Sequence, residues 1–321
     1  MPLKSILPMT NTASPLPLSP IPYADFSGSG TPLHFLHANG YPPGCYQPLL
    51  ERFSTQYQTF GMLLRPLWKN SKPEEIHDWN PFSEDLIQLL DERKINSVIG
   101  VGHSIGAIVT LRAALKQPNR FRALVLLDPV LLPRYTILEW NLARILGIRD
   151  RTHPLIRSTL RRRRDFDDLD KVFEGYRRRN IFRFFSDENL RTLIQGMTRP
   201  KADGGFELAY SPEWEARIYY TGIWHDWDLW NGLARLEIPT LILRGAETDT
   251  FRDSTARAVQ KRNHKIEIIS LEKSTHLLPL EKPNEVFEMT ESFLNETLTR
   301  TSRNQKGFNH EGHEGTQRKT L

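Results

Sequence analysis

The stretch Asn96-Ser97-Val98-Ile99-Gly100-Val101-Gly102-His103-Ser104-Ile105-Gly106 decides how this chain is read. Its first half, 96–102, is a short apolar run opened by turn formers, as expected for a strand covered on both faces. Its second half sets a serine between glycines two residues before and two residues after. Residues 106–117 then run apolar with helical spacing as far as Gln117-Pro118. A serine on a sharp strand-to-helix turn is pushed above the sheet edge, and the positions flanking it crowd together, so both must be small. The amide of Ile105 falls at the helix N-terminus, where it can donate to a developing oxyanion. The bland alternative, an inert serine in a glycine-rich turn, is disfavoured by the strand before it and the helix after it.

Further apolar runs lie on either side, at 33–37, 58–64, 122–128, 240–244 and 265–271. Helical patterns open at Asn80-Pro81 and at Pro283-Asn284-Glu285. Strand–helix alternation of this kind predicts the α/β class: a mostly parallel sheet with helices on both faces. The alternation stops between about 131 and 235, a stretch rich in arginine that holds five of the seven tryptophans. A helical cap inserted between two strands of one sheet accounts for it. The expected organisation is an extended proline-rich lead-in (1–22), a core (23–130 and 236–299), a cap (131–235) and a disordered tail (300–321).

A nucleophilic serine needs a base and a group that orients the base. His276 lies in the loop after the last strand run and is the expected base. Asp249, after the preceding strand, is ranked first as the acid. Asp128, at the end of an earlier strand, is ranked second, and Glu247 is a third competitor. Parallel strands bring all these loops to the sheet edge that carries Ser104.

With these residues in place the chain resembles the α/β-hydrolase superfamily. The resemblance rests on the Gly102–Gly106 turn, the segment Pro239–Asp249, and Thr275-His276 followed by Glu281-Lys282-Pro283; it covers roughly 23–130 and 236–298. It implies a second oxyanion donor in the loop after the first parallel strand, usually at a His-Gly dipeptide. Here the loop reads His37-Ala38-Asn39-Gly40-Tyr41-Pro42. The Tyr41 amide is the first choice and Asn39 the second. Relatives that open epoxides or displace halides carry aspartate at the turn, so serine implies acyl chemistry.

The remaining features exclude more than they suggest. A single cysteine, Cys45, cannot form an internal disulfide or a Cys-rich metal site, and the expectation is a reducing, cytoplasmic setting. No apolar run reaches the ~20 residues of a membrane span, and the N-terminus lacks the pattern of a signal peptide. The formal charge of +5 owes +3 to residues 300–321, so it is poor support for a nucleic-acid partner. The arginines at 161–164 and 177–179 are interleaved with acids, as on solvated helix faces. His310-Glu311-Gly312-His313 lacks a metal-binding spacing. No cofactor or metal is expected. Cys45 is expected to be a packed thiol.

The expected function is a serine hydrolase acting on an ester or similar small carbonyl substrate. Its pocket is expected to be apolar and lined by Asn39, His103, Trp227 and Trp230. Hydrolysis of a C–C bond beside a ketone, acyl transfer, and a non-catalytic ligand receptor stand as alternatives.

Overall fold

The structure, a computed structural model, describes residues 20–149 and 153–311. Chain order gives β1 (Tyr23–Asp25), β2 (Pro32–Leu36), α1 (Gln47–Ser54), β3 (Gln58–Met62), α2 (Asn80–Glu92), β4 (Val98–His103), α3 (Ile105–Lys116) and β5 (Phe121–Leu127). The cap elements follow: α4 (Arg134–Ile145), α5 (Pro154–Leu160), β6 (Asp165–Phe166), α6 (Leu169–Arg177), α7 (Asp187–Met197), β7 (Thr198–Pro200), β8 (Phe206–Leu208), α8 (Pro212–Thr221) and α9 (Asp226–Leu233). The chain then returns through β9 (Thr240–Gly245), α10 (Asp253–Arg262), β10 (Glu267–Leu271), α11 (Leu278–Glu281) and α12 (Pro283–Glu311).

The sheet runs β1-β3-β2-β4-β5-β9-β10. Only β1 is antiparallel, paired with β3; the other pairings are parallel. Alternation along each strand splits the core into two layers. In β5, Leu124 and Leu126 face a layer with Phe82, Leu86 and Leu89 of α2 and Ile108 and Leu111 of α3. Ala123, Val125 and Leu127 face the other layer, with Leu49 and Phe53 of α1 and Val286 and Leu294 of α12. Full burial of each large apolar side chain contributes about 1.5–3 kcal/mol, so both faces must be covered and the strands read as continuous apolar runs.

The chain differs from the sequence expectation in three places. Ile21, inside the expected lead-in, is 1% exposed and its amide donates to Glu92, so the anchored fold begins before β1. The cap is not purely helical: β6, β8 and β7 form a small antiparallel sheet from strands of two or three residues. The last helix runs on to Glu311, past the expected core boundary at 299, because neither proline nor glycine interrupts it before Gly307. Residues 1–19 of the lead-in and 312–321 of the tail, with His313, lie outside the described residues.

Buried ion pairs tie the layers together. Arg65 holds Asp85 of α2 through two hydrogen bonds of 2.7 and 2.8 Å. Arg112 of α3 holds the fully buried Asp226 at 2.6 Å, which fixes the start of α9 to the core. Around the expected functional turn, the close approaches are between main chains. A Cβ on Gly102 would meet the Gly106 carbonyl, and one on Gly106 would overlap the Leu36 carbonyl at the end of β2.

Gly106→Ala should therefore cost several kilocalories per mole, above the ~1–3 kcal/mol of ordinary overpacking, because the obstacle is backbone. Gly175→Ala is the control: it lies in α6 with open space around its Cα, and alanine should stabilise by about 0.5–1 kcal/mol. Chemical denaturation of the two variants checks both signs; a neutral Gly106→Ala would refute the close approach.

Candidate active site

Ser104 sits between β4 and α3 at φ 58° and ψ −118°, a backbone conformation that costs a non-glycine residue about 1–3 kcal/mol. It is held there by its own amide, which donates to the Leu127 carbonyl of β5 at 3.0 Å. Its hydroxyl lies 3.0 Å from His276 Nε2. His276 Nδ1 lies 2.9 Å from Asp128 Oδ1.

The carboxylate brought to His276 is thus Asp128, not Asp249. Asp128 follows β5, has no exposed surface and a φ of 41°. Its Oδ1 also accepts from the Thr248 hydroxyl at 2.8 Å and the Phe251 amide at 3.3 Å, and its Oδ2 accepts from the Gly245 amide at 3.0 Å. The loop after β9 supplies donors to the acid instead of supplying the acid. Asp249 lies on the outside of that loop, exposed, and its carboxylate accepts only from the neighbouring Thr250 hydroxyl among the described bonds. Glu247 is exposed and ion-paired to Arg183 at 2.6 Å.

The oxyanion side also departs from expectation. Ile105 opens α3, so its amide has no intrahelical acceptor. The Tyr41 amide is committed: it donates to the Ala38 carbonyl at 3.3 Å and closes the turn. The Ala38 amide donates to the Tyr46 hydroxyl at 3.1 Å. The Asn39 amide has no acceptor among the described hydrogen bonds. The Asn39 side chain donates to the Glu215 carbonyl at 3.0 Å, and the Glu215 carboxyl lies against Gly40. Glu215 is itself buried and paired with Arg162, so the cap grips this loop through a neutralised charge. Beneath it, burial pushes His37 down to about 4; the neutral ring accepts from the Leu64 amide and donates to the Ala38 carbonyl.

His103 and Trp230, expected in the pocket wall, are committed elsewhere. His103 is fully buried: Nδ1 accepts from the Tyr46 hydroxyl at 2.7 Å and Nε2 donates to the His276 carbonyl at 2.8 Å. Trp230 is in the core, with its indole N–H on the Leu132 carbonyl at 2.9 Å. Trp227 lies beneath the Arg134 guanidinium. Neither tryptophan makes a hydrogen bond or ring contact with Ser104, Asp128 or His276 among the described residues. Both help pack α9 onto the core, which is what two aromatics three residues apart on one helix face do most simply. Tyr46 was not singled out from sequence; an isolated tyrosine after Pro42-Pro43-Gly44-Cys45 carries no signal of a buried hydrogen-bonding role. Cys45 is buried with its thiol toward the Leu193 carbonyl, and burial pushes its ionisation upward. Several of the cap arginines are ion-paired to acids, as in Arg163–Asp167, Arg164–Glu213 and Arg178–Glu174. Among the described residues no group of His, Cys, Asp and Glu could hold a metal ion, and no helix is long and apolar enough to cross a membrane.

A strand-borne serine at a positive φ, a histidine on a later loop and a buried aspartate define a class, and comparison with known proteins agrees with it. The profile of the alpha/beta hydrolase family matches residues 35–289, and the chain belongs to that family. It is similar to 2-(acetamidomethylene)succinate hydrolase of Mesorhizobium japonicum, 31% identical over 101 residues; the match covers 32% of this chain and only 36% of that protein. It is also similar to (E)-2-((N-methylformamido)methylene)succinate hydrolase of Acinetobacter baylyi, 19% identical over 277 residues, covering 84% of this chain and 92% of that protein. Among solved structures, E-2-(acetamidomethylene)succinate hydrolase superposes with a TM-score of 0.68 at 20% identity, over 85% of this chain and 94% of that one. That likeness shows the fold.

The two aspartates can be separated directly. Asp128→Asn should lower kcat by ~10³–10⁴, since an amide cannot hold the imidazole tautomer or stabilise its charged form. Asp249→Asn should stay within about threefold, as expected for an exposed side chain remote from the base. Steady-state turnover of any accepted ester checks both, and the reverse ranking would restore Asp249.

Proposed function

We propose that this chain is a serine hydrolase that cleaves a small carbonyl substrate through an acyl-enzyme on Ser104. The observation that carries the reading is the continuous hydrogen-bonded line from Ser104 Oγ through His276 to the buried Asp128. As Ser104 Oγ attacks the carbonyl carbon, its proton passes to His276 Nε2, and Asp128 stabilises the resulting imidazolium. The carbonyl oxygen takes up the negative charge and is held by the Ile105 and Asn39 amides. Collapse of this intermediate breaks the bond to the leaving group, which takes the proton from His276. Water, deprotonated by the same histidine, then attacks the acyl-enzyme; the acid leaves and Ser104 is restored. No cofactor enters these steps.

Esters are the first substrate class. A second reading, small amides that bear carboxylates, is favoured by the substrates for which the two relatives above are named, which carry both groups. Arg162 is the cation this reading would use, and its pairing with Glu215 weighs against it.

Ser104→Ala and His276→Ala should each remove ~10⁴–10⁶ of kcat, and the double variant should be little worse because the residues act as a unit. The measurement is turnover of p-nitrophenyl esters from acetate to palmitate, phenyl esters and succinate monoesters, with and without EDTA. Neutral esters should be preferred and EDTA should change nothing. Full activity of Ser104→Ala would end the mechanism, and a strict preference for succinate monoesters would move the reading to the second class.

A further inference from the structure

Four groups that the mechanism above does not use form a single buried line through the site. The Ala38 amide reaches the Tyr46 hydroxyl at 3.1 Å, the hydroxyl reaches His103 Nδ1 at 2.7 Å, and His103 Nε2 reaches the His276 carbonyl at 2.8 Å. Tyr46 and His103 are both completely buried. We propose that Tyr46 and His103 are positioning residues: they lock the oxyanion loop and the histidine loop to the turn that carries Ser104. The proposal rests on the serine-hydrolase reading, since it assigns these residues to the service of that chemistry.

Only one arrangement of protons satisfies all three bonds. The His276 carbonyl can only accept, so His103 Nε2 carries the proton. Nδ1 is then a lone-pair acceptor and takes the Tyr46 O–H. The hydroxyl oxygen is left to accept from the Ala38 amide, which can only donate. The opposite tautomer would set the Nε2 lone pair against a carbonyl oxygen and leave the tyrosine proton with no acceptor on this line. The ring must also be neutral, and burial, reinforced by the neighbouring His276, holds His103 well below the ordinary histidine range. A charged ring there, 5.0 Å between centroids from His276, would oppose the imidazolium that forms during turnover.

The line joins three separate stretches of chain. Ala38 immediately precedes Asn39, so a shift of Ala38 carries the Asn39 amide with it. His103 immediately precedes Ser104. The His276 carbonyl belongs to the residue whose ring takes the proton. The distances between nucleophile, base and oxyanion donor are therefore set partly by two side chains that never meet substrate. A displacement on the order of 1 Å in such groups can cost ~10² in rate.

The test uses the labelling of Ser104 by a fluorophosphonate, with the maximal labelling rate (kinact) and the half-saturating concentration (KI) measured per active site. Tyr46→Phe should lower kinact by ~10–100-fold with KI within about threefold, the signature of misplaced groups and not of lost binding. His103→Gln, which can still donate to the His276 carbonyl, should retain more activity than His103→Leu. Tyr46→Phe combined with His103→Leu should be no worse than His103→Leu alone, because both cut one line. Independently of activity, ¹⁵N NMR of the histidine-labelled full chain at pH 7 should find His103 neutral, protonated on Nε2 and bare on Nδ1. A Tyr46→Phe chain labelled at the parent's rate, a change confined to KI, or a His103 protonated on Nδ1 would overturn the proposal. A parent chain that is never labelled would overturn the serine-hydrolase reading instead.

Discussion

The Asp128 carboxylate is the constraint on which the site depends. It has no exposed surface, and an ionised carboxylate in that position is tolerated only if its oxygens are fully engaged. Four donors do this: the Gly245 amide, the Thr248 hydroxyl, the Phe251 amide and His276 Nδ1. Three of the four come from the end of β9 and the loop after it. That loop can reach Asp128 because β9 pairs beside β5, with the Asp128 amide itself donating to the Leu243 carbonyl at 2.7 Å. The same neighbourhood holds the base. A Cβ on Gly245 would overlap the Thr275 carbonyl, so the main chain beside His276 lies directly against the end of β9. Sheet order, a glycine and a threonine thus combine to aim one imidazole.

Two of the strained backbone positions fall on the catalytic residues themselves. Ser104 and Asp128 both hold positive φ, at the ends of the adjacent strands β4 and β5. Each is fixed by main-chain bonds from the next strand: the Ser104 amide to Leu127, and the Asp128 amide to Leu243. The packed parallel sheet therefore supplies the energy that keeps two unfavourable backbone conformations in place. From the other side, the cap reaches the oxyanion loop through Asn39 and Glu215, so cap and core are not independent halves of the site.

The core was legible because strands covered on both faces write long apolar runs, and because the glycines around Ser104 record a main-chain approach that no other residue permits. Strands β1, β6, β7 and β8 were not, since two or three residues are too few to show a period of two. The acid was legible only as a choice among strand ends. Asp128 and Asp249 both follow strands, and what separates them is whether the loop after β9 turns its side chains or its donors inward, a matter of tertiary folding. The oxyanion donor failed for a similar reason. The amide of Tyr41 is consumed by a turn onto Ala38, and sequence does not say which amide a turn will consume. The tryptophans misled because aromatic density marks burial without saying whether the buried side meets a substrate or the core.

The proposed chemistry requires that Ser104 form a covalent bond to the acyl group of the substrate. The most direct measurement is rapid acid quench of the full chain during turnover of a p-nitrophenyl ester, followed by mass spectrometry of its peptides. A mass increase equal to the acyl group is expected on the peptide that contains Ser104, accumulating before steady state and absent from the Ser104→Ala chain. Turnover with no acyl adduct on that peptide, or an adduct on another residue with Ser104 unmodified, would contradict it.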